Sequence, residues 1–98
     1  MISPAHRIFL RTFGNPNRIM LLLELLRGPK NVTVLIQRSG MEQSAVSHNL
    51  KRLLRCRFVT VRRKGKERIY AVNRSTIGPL VRLMNRHIAK HCRHLCSC

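Results

Sequence analysis

Acidic residues are nearly missing from this chain. Its 98 residues hold 3 Asp+Glu, all glutamate (Glu24, Glu42 and Glu67), against 20 Lys+Arg, for a formal charge of +17. The three glutamates are dispersed, which excludes a paired-carboxylate acid–base site. No nucleophile, base and orienting group form a recognisable set, so an enzyme is not expected. Aromatic residues make up 4% and tryptophan is absent, leaving no stacking platform of the kind that single-strand nucleic-acid readers use. Long apolar runs are missing too: the longest, Ile19 to Leu23, stops at Glu24, too short to span a membrane. The N-terminal stretch has neither the apolar core nor the cleavage site of a signal peptide, so a cytoplasmic location is expected.

What is present is charge on a foldable chain. Apolar residues reach 44%, enough for one small domain over residues 1–98. At most three of the cationic side chains find an internal carboxylate, and the rest repel one another until a polyanion or salt intervenes. Nucleic acid is therefore the expected partner. An anionic membrane ranks second, but no long helix pairs one strongly charged face with one wholly apolar face.

Residues 4–13 pattern as a short helix with Ile8, Phe9 and Phe13 on one stripe, broken at Gly14-Asn15-Pro16. Pro16 is placed to open a second helix, apolar almost all round from Ile19 to Leu26, which predicts a buried central helix ended by Gly28-Pro29. Thr33 is placed to cap a third, through Arg38, before a turn at Gly40. From Glu42 or Gln43 to Cys56 the pattern divides. Val46, Leu50, Leu53 and Leu54 recur at three- and four-residue spacing and point inward, while Gln43, Ser44, Ser47, His48, Lys51 and Arg55 form a polar, acid-free outer face. Such a helix, entered through a short glycine turn, is what a major-groove reader needs; the alternative is an ordinary solvated face, though those mix both charge signs. His48 is placed to meet a phosphate or a base.

Phe58 to Val72 changes to a period of two around Arg63-Lys64-Gly65-Lys66-Glu67, which predicts a β-hairpin with Arg63, Lys64 and Lys66 near its tip. Residues 51–68 carry nine of the 20 basic side chains, the concentration expected of an electrostatic footprint. A last helix, from about Thr76 to the C-terminus, aligns Ile77, Leu80, Val81, Met84, Ile88 and Leu95. That stripe either covers its own core or forms a dimer seam with the first helix.

The expected fold is thus mainly α with a small β-hairpin. FGNPNRIMLLLELL (Phe13 to Leu26), GMEQSAVSHNLKRLL (Gly40 to Leu54) and FVTVRRKGKERIYAV (Phe58 to Val72) resemble, in order and separation, segments of the ArsR/SmtB family of winged helix-turn-helix repressors. The resemblance implies a homodimer through the first and last helices, bound to an imperfect palindrome in double-stranded DNA, with repression relieved by a metal ion or another signal. The chain departs from that family's best-known sensors: Val32 to Gln37 holds no cysteine, and aspartate is absent throughout. Some members instead use a cysteine ending the recognition helix, where Cys56 stands, with another near the C-terminus.

The tail HIAKHCRHLCSC holds His87, His91, Cys92, His94, Cys96 and Cys98 within twelve residues. On a continuous helix the histidines flank one shoulder of the apolar stripe, and Cys92 and Cys96 the other. Cys92 and Cys96 can share an ion, and Cys98 reaches back if the helix frays after Leu95. Three thiolates, with Cys56, His91 or His94 as candidate further ligands, suit zinc, cadmium or another thiophilic ion. A redox switch through the same thiols, or no ligand role, remains open. A non-specific nucleoid protein and a small zinc-binding RNA module are the competing functions. Excess unrelated DNA separates the first from a sequence-specific regulator, and preference for structured RNA marks the second.

Overall fold

The computed structural model describes residues 1–95. Helix α1 spans Pro4–Phe13. It starts where the Ser3 hydroxyl accepts the backbone N–H of His6 (3.3 Å) and the His6 ring accepts that of Ser3 (3.2 Å), a reciprocal cap with Pro4 behind it. It stops at Gly14, whose N–H reaches the Leu10 carbonyl at 2.7 Å; a Cβ at Gly14 would lie 2.9 Å from that oxygen, so no other residue closes the turn without displacing backbone.

Helix α2, Pro16–Leu26, is capped by Asn15 and buries Leu21, Leu22 and Leu25. Met20 and Leu23 remain 41% and 37% exposed, so this helix is not enclosed on all sides as its sequence predicts. The ammonium of Lys30 closes its C-terminal end by donating to the carbonyls of Glu24 (2.7 Å) and Gly28 (3.0 Å).

A two-residue strand follows, β1 (Lys30–Asn31). Asn31, rather than Thr33, caps α3 (Val32–Ser39) by accepting the N–H of Val34 at 2.8 Å. Gly40, with φ +72°, turns the chain into α4 (Gln43–Arg55). Helix α4 ends in a Schellman motif: Phe58 N–H donates to the Leu53 carbonyl (2.9 Å) and Arg57 N–H to the Leu54 carbonyl (3.0 Å). This places Arg57, not a glycine, in the left-handed region at φ +58°.

Strands β2 (Val59–Lys64) and β3 (Glu67–Val72) form the hairpin, with Lys64 opposite Glu67 and Val59 opposite Val72. Strand β1 pairs antiparallel to the outer side of β3, giving the order β1-β3-β2. Val59, Tyr70 and Val72 face the core, whereas the rest of β2 is exposed. Helix α5 (Ile77–His91) buries Ile77 and Val81. It ends at His91 instead of continuing to the C-terminus; a 3₁₀ turn follows at Arg93–Leu95, which takes Leu95 off the stripe and into solvent.

The core gathers leucines from α2, α3 and α4 around Phe58, Tyr70 and Val81. Phe9 of α1 rests on Phe58, ring centroids 5.0 Å apart.

Candidate nucleic-acid interface

Helix α4 is anchored from inside. Val46, Leu50 and Leu53 are buried, and Asn49 beside them is 7% exposed. Its side-chain N–H donates to the Ala45 carbonyl at 2.9 Å, and its oxygen accepts Nε of Arg18 at 3.1 Å. Arg18 in turn donates through Nη1 to the carbonyls of Arg11 (3.2 Å) and Thr12 (3.5 Å) at the end of α1. One guanidinium thus ties α1, α2 and α4 together and leaves the polar groups of Asn49 satisfied. The outward direction of α4 is set by this clamp as well as by its leucines.

Gln43, Ser44, Ser47, His48, Lys51 and Arg55 are all exposed on the other side. The helix gathers the first four around its N-terminal half. Arg55, two turns further on, instead lines a cavity against α1 with Arg52 and Cys56.

Arg63, Lys64 and Lys66 are exposed at the hairpin tip, where Gly65 adopts φ +63°. Arg63 stands directly opposite Arg68 in the β ladder, a like-charge pair. Glu67, the nearby acid, accepts from the Asn31 side chain at 3.1 Å. Among the described residues the sole ion pair is Arg38 with Glu24, on the α2–α3 side of the molecule. The hydrogen bond from Arg38 holds the Glu24 carboxyl below its usual range, while burial lowers the pKa of Lys30. The remaining cations have no carboxylate partner among the described residues, so α4 and the hairpin present uncompensated positive charge.

The candidate metal ligands are less gathered. Cys56 is half-buried, its sulfur 3.3 Å from the hydroxyl of Thr12. Cys92 is half-buried at the end of α5, the rings of His87 and His91 lie 4.9 Å apart, and His94 is exposed. Among the described residues no three His, Cys, Asp or Glu side chains form a group that could hold an ion. Cys96 and Cys98 lie outside the described residues.

The Arg18–Asn49 clamp was not anticipated from sequence. Its one signal there is a polar residue, Asn49, at an inward position between Val46 and Leu53.

Residues 15–61, from the cap of α2 into β2, match the family model for bacterial regulatory proteins of the arsR family. That stretch is similar to the ArsR family. The ArsR/SmtB resemblance and the winged helix-turn-helix order expected from sequence are both borne out.

Among relatives of this chain, the HTH-type transcriptional regulator NmtR of Mycobacterium tuberculosis is 38% identical over 72 residues, which are 74% of this chain and 60% of that protein. A probable mercury resistance operon repressor of Streptomyces lividans is 35% identical over 75 residues, 76% of this chain and 60% of that one. The chain thus spans about 60% of the length of the curated relatives it matches. The homodimeric winged helix-turn-helix DNA-binding domain of a possible ArsR-family regulator from Mycobacterium bovis superposes with a TM-score of 0.84 at 23% identity, covering 92% of this chain and 83% of that one. The matched family and both relatives are regulatory proteins. No helix among the described residues is long and apolar enough to cross a membrane.

Proposed function

We propose that this chain is a homodimeric, sequence-specific double-stranded-DNA-binding repressor of the ArsR type. One observation carries that reading: α4 presents Gln43, Ser44, Ser47 and His48 as an exposed, acid-free face on a helix clamped from behind, beside a hairpin tip of unpaired cations. Polar side chains on the helix suit base edges in the major groove, and the hairpin cations suit phosphates. Lys51 and Arg55 extend the basic face towards the backbone of the same duplex.

A second copy is favoured by the shape of the chain. Its Cα radius of gyration is 14.2 Å, against about 13 Å for a compact chain of this length. Ile8 and Leu10 on α1 and Leu83 and Ile88 on α5 are between 40% and 58% exposed. Burying these faces against a partner would pair two reading helices, as an imperfect palindrome requires.

Repression and a thiophilic effector draw support from the Streptomyces relative, a probable mercury resistance operon repressor. In this chain Cys92, Cys96 and Cys98 would hold an ion such as zinc or cadmium, with Cys56, His91 and His94 as further candidates.

Selecting fragments of the parent genome at moderate salt, with excess unrelated DNA as competitor, tests the main reading. A shared palindromic sequence among the survivors is expected. Uniform loss to competitor would favour the non-specific architectural alternative, which the charge of +17 otherwise supports.

A further inference from the structure

We propose that the cavity between α1 and the C-terminal end of α4 is a binding site for a small, multiply charged oxyanion of the phosphate class. The cavity has a volume of about 490 Å³, within the range of about 300–1,000 Å³ typical of small-molecule sites. Four arginines line it, Arg11, Arg18, Arg52 and Arg55, and no acid does. None of the four has a carboxylate partner among the described residues, whose sole ion pair joins Arg38 and Glu24. Four like charges around one opening repel, and a single multivalent anion relieves all of them together.

The site is already organised on one side. Arg18 is fixed by its bonds to Asn49 and to the carbonyls of Arg11 and Thr12, so its remaining donors are held at the cavity without further loss of side-chain freedom. Thr12 is 6% exposed and its hydroxyl meets the Cys56 sulfur, giving a polar floor, while Ile8 supplies an apolar wall. Arg11, Arg52 and Arg55 are exposed and free to fold over an occupant. The planar fork of arginine matches two oxygens of a phosphate, which favours that class over a halide. A backbone phosphate of DNA has the same chemistry, so the test is made without DNA.

The DNA-free chain is titrated calorimetrically with pyrophosphate and with inorganic phosphate, the ionic strength held constant with chloride. One saturable site per chain is expected, with pyrophosphate the tighter ligand and the Nε–H signals of the arginines shifting in NMR spectra. Arg52→Gln and Arg55→Gln alter exposed side chains and should each weaken pyrophosphate about tenfold or more. Arg86→Gln, on the exposed face of α5, removes the same charge and should leave binding unchanged. Equal weakening by Arg86→Gln, or no saturable binding by the free chain, would overturn the proposal. In the latter case, protection of Arg52 and Arg55 only in the DNA complex would assign the cavity to the nucleic-acid backbone.

Discussion

Arg18 on α2 and Asn49 on α4 lie 31 positions apart in sequence and 3.1 Å apart in space, and their bond fixes how α4 sits on the body of the domain. Each partner needs the other. Without Asn49 the Arg18 Nε–H loses its acceptor, and without Arg18 a nearly buried carboxamide oxygen loses its donor. Asn49→Ala should therefore cost about 1–3 kcal/mol of folding free energy. Urea unfolding of the parent and the variant measures it, and an unchanged midpoint would show that the clamp contributes nothing.

Reading and anchoring should separate by mutation. Alanine at Gln43, Ser44, Ser47 or His48 should weaken a specific site by about 1–3 kcal/mol for each good base contact and leave random DNA almost untouched. Alanine at Arg63, Lys64 or Lys66 should weaken both alike and flatten the salt dependence. Binding titrations at several salt concentrations distinguish the two sets.

Acid should loosen the α2–α3 contact. The Glu24 carboxyl is held below its ordinary value of 4.5 in the folded chain, with its hydrogen bond to Arg38 as the leading cause. A lowered carboxyl pKa stabilises the folded state fully above the unfolded value, and that contribution disappears as pH falls through the lower, folded value. Thermal midpoints should decline below a pH of about 4.5. Glu24→Gln should have a lower midpoint at neutral pH and a shallower acid decline; a parallel decline would rule the pair out as its source.

Arg57 is in a conformation that suits glycine. At φ +58° its Cβ crowds the backbone, a cost of about 1–2 kcal/mol for an L-residue. Arg57→Gly removes that strain but adds freedom to the unfolded chain. A net gain of about 0.5–1 kcal/mol is expected in equilibrium unfolding, and destabilisation would mean that the arginine side chain contributes more than its backbone strain costs.

Reduced protein should take up one cadmium or zinc ion per chain with release of protons, cadmium adding a thiolate charge-transfer band in the ultraviolet. Replacing Cys92 and Cys96 with serine should abolish the band and leave the fold intact. A full-strength band in the triple serine variant, with Cys98 also changed, would move the ligands elsewhere.

The elements that hold the candidate interface were legible because each carries its own period. The spacing of Val46, Leu50 and Leu53 defines α4, and the alternation around Gly65 defines the hairpin. Features created by distant partners were not legible. Strand β1 is two residues long and exists only because Lys30 and Asn31 meet Tyr70 and Ile69 of β3. Thr33 and Asn31 are both good caps, and the choice of Asn31 follows from where that strand delivers the chain. Helix α5 was expected to run on through Leu95, since its stripe continues on paper; past Met84 that stripe has no buried residue among the described ones to hold it. The Arg18–Asn49 bond, spanning helices, has no local periodic trace.

The cross-strand pair of Arg63 and Arg68 makes the hairpin a small polyelectrolyte. Its arms carry Arg62, Arg63, Lys64, Lys66 and Arg68, while its one acid, Glu67, is turned towards Asn31. The backbone ladder closes these strands against their own charge, so the ionic medium sets how tightly they close. Added salt should slow amide exchange in this segment by screening the repulsion. The same salt weakens any hold on a polyanion. The hairpin is therefore most tightly closed where its grip is weakest, and a nucleic-acid backbone laid along it would act as its missing counterion.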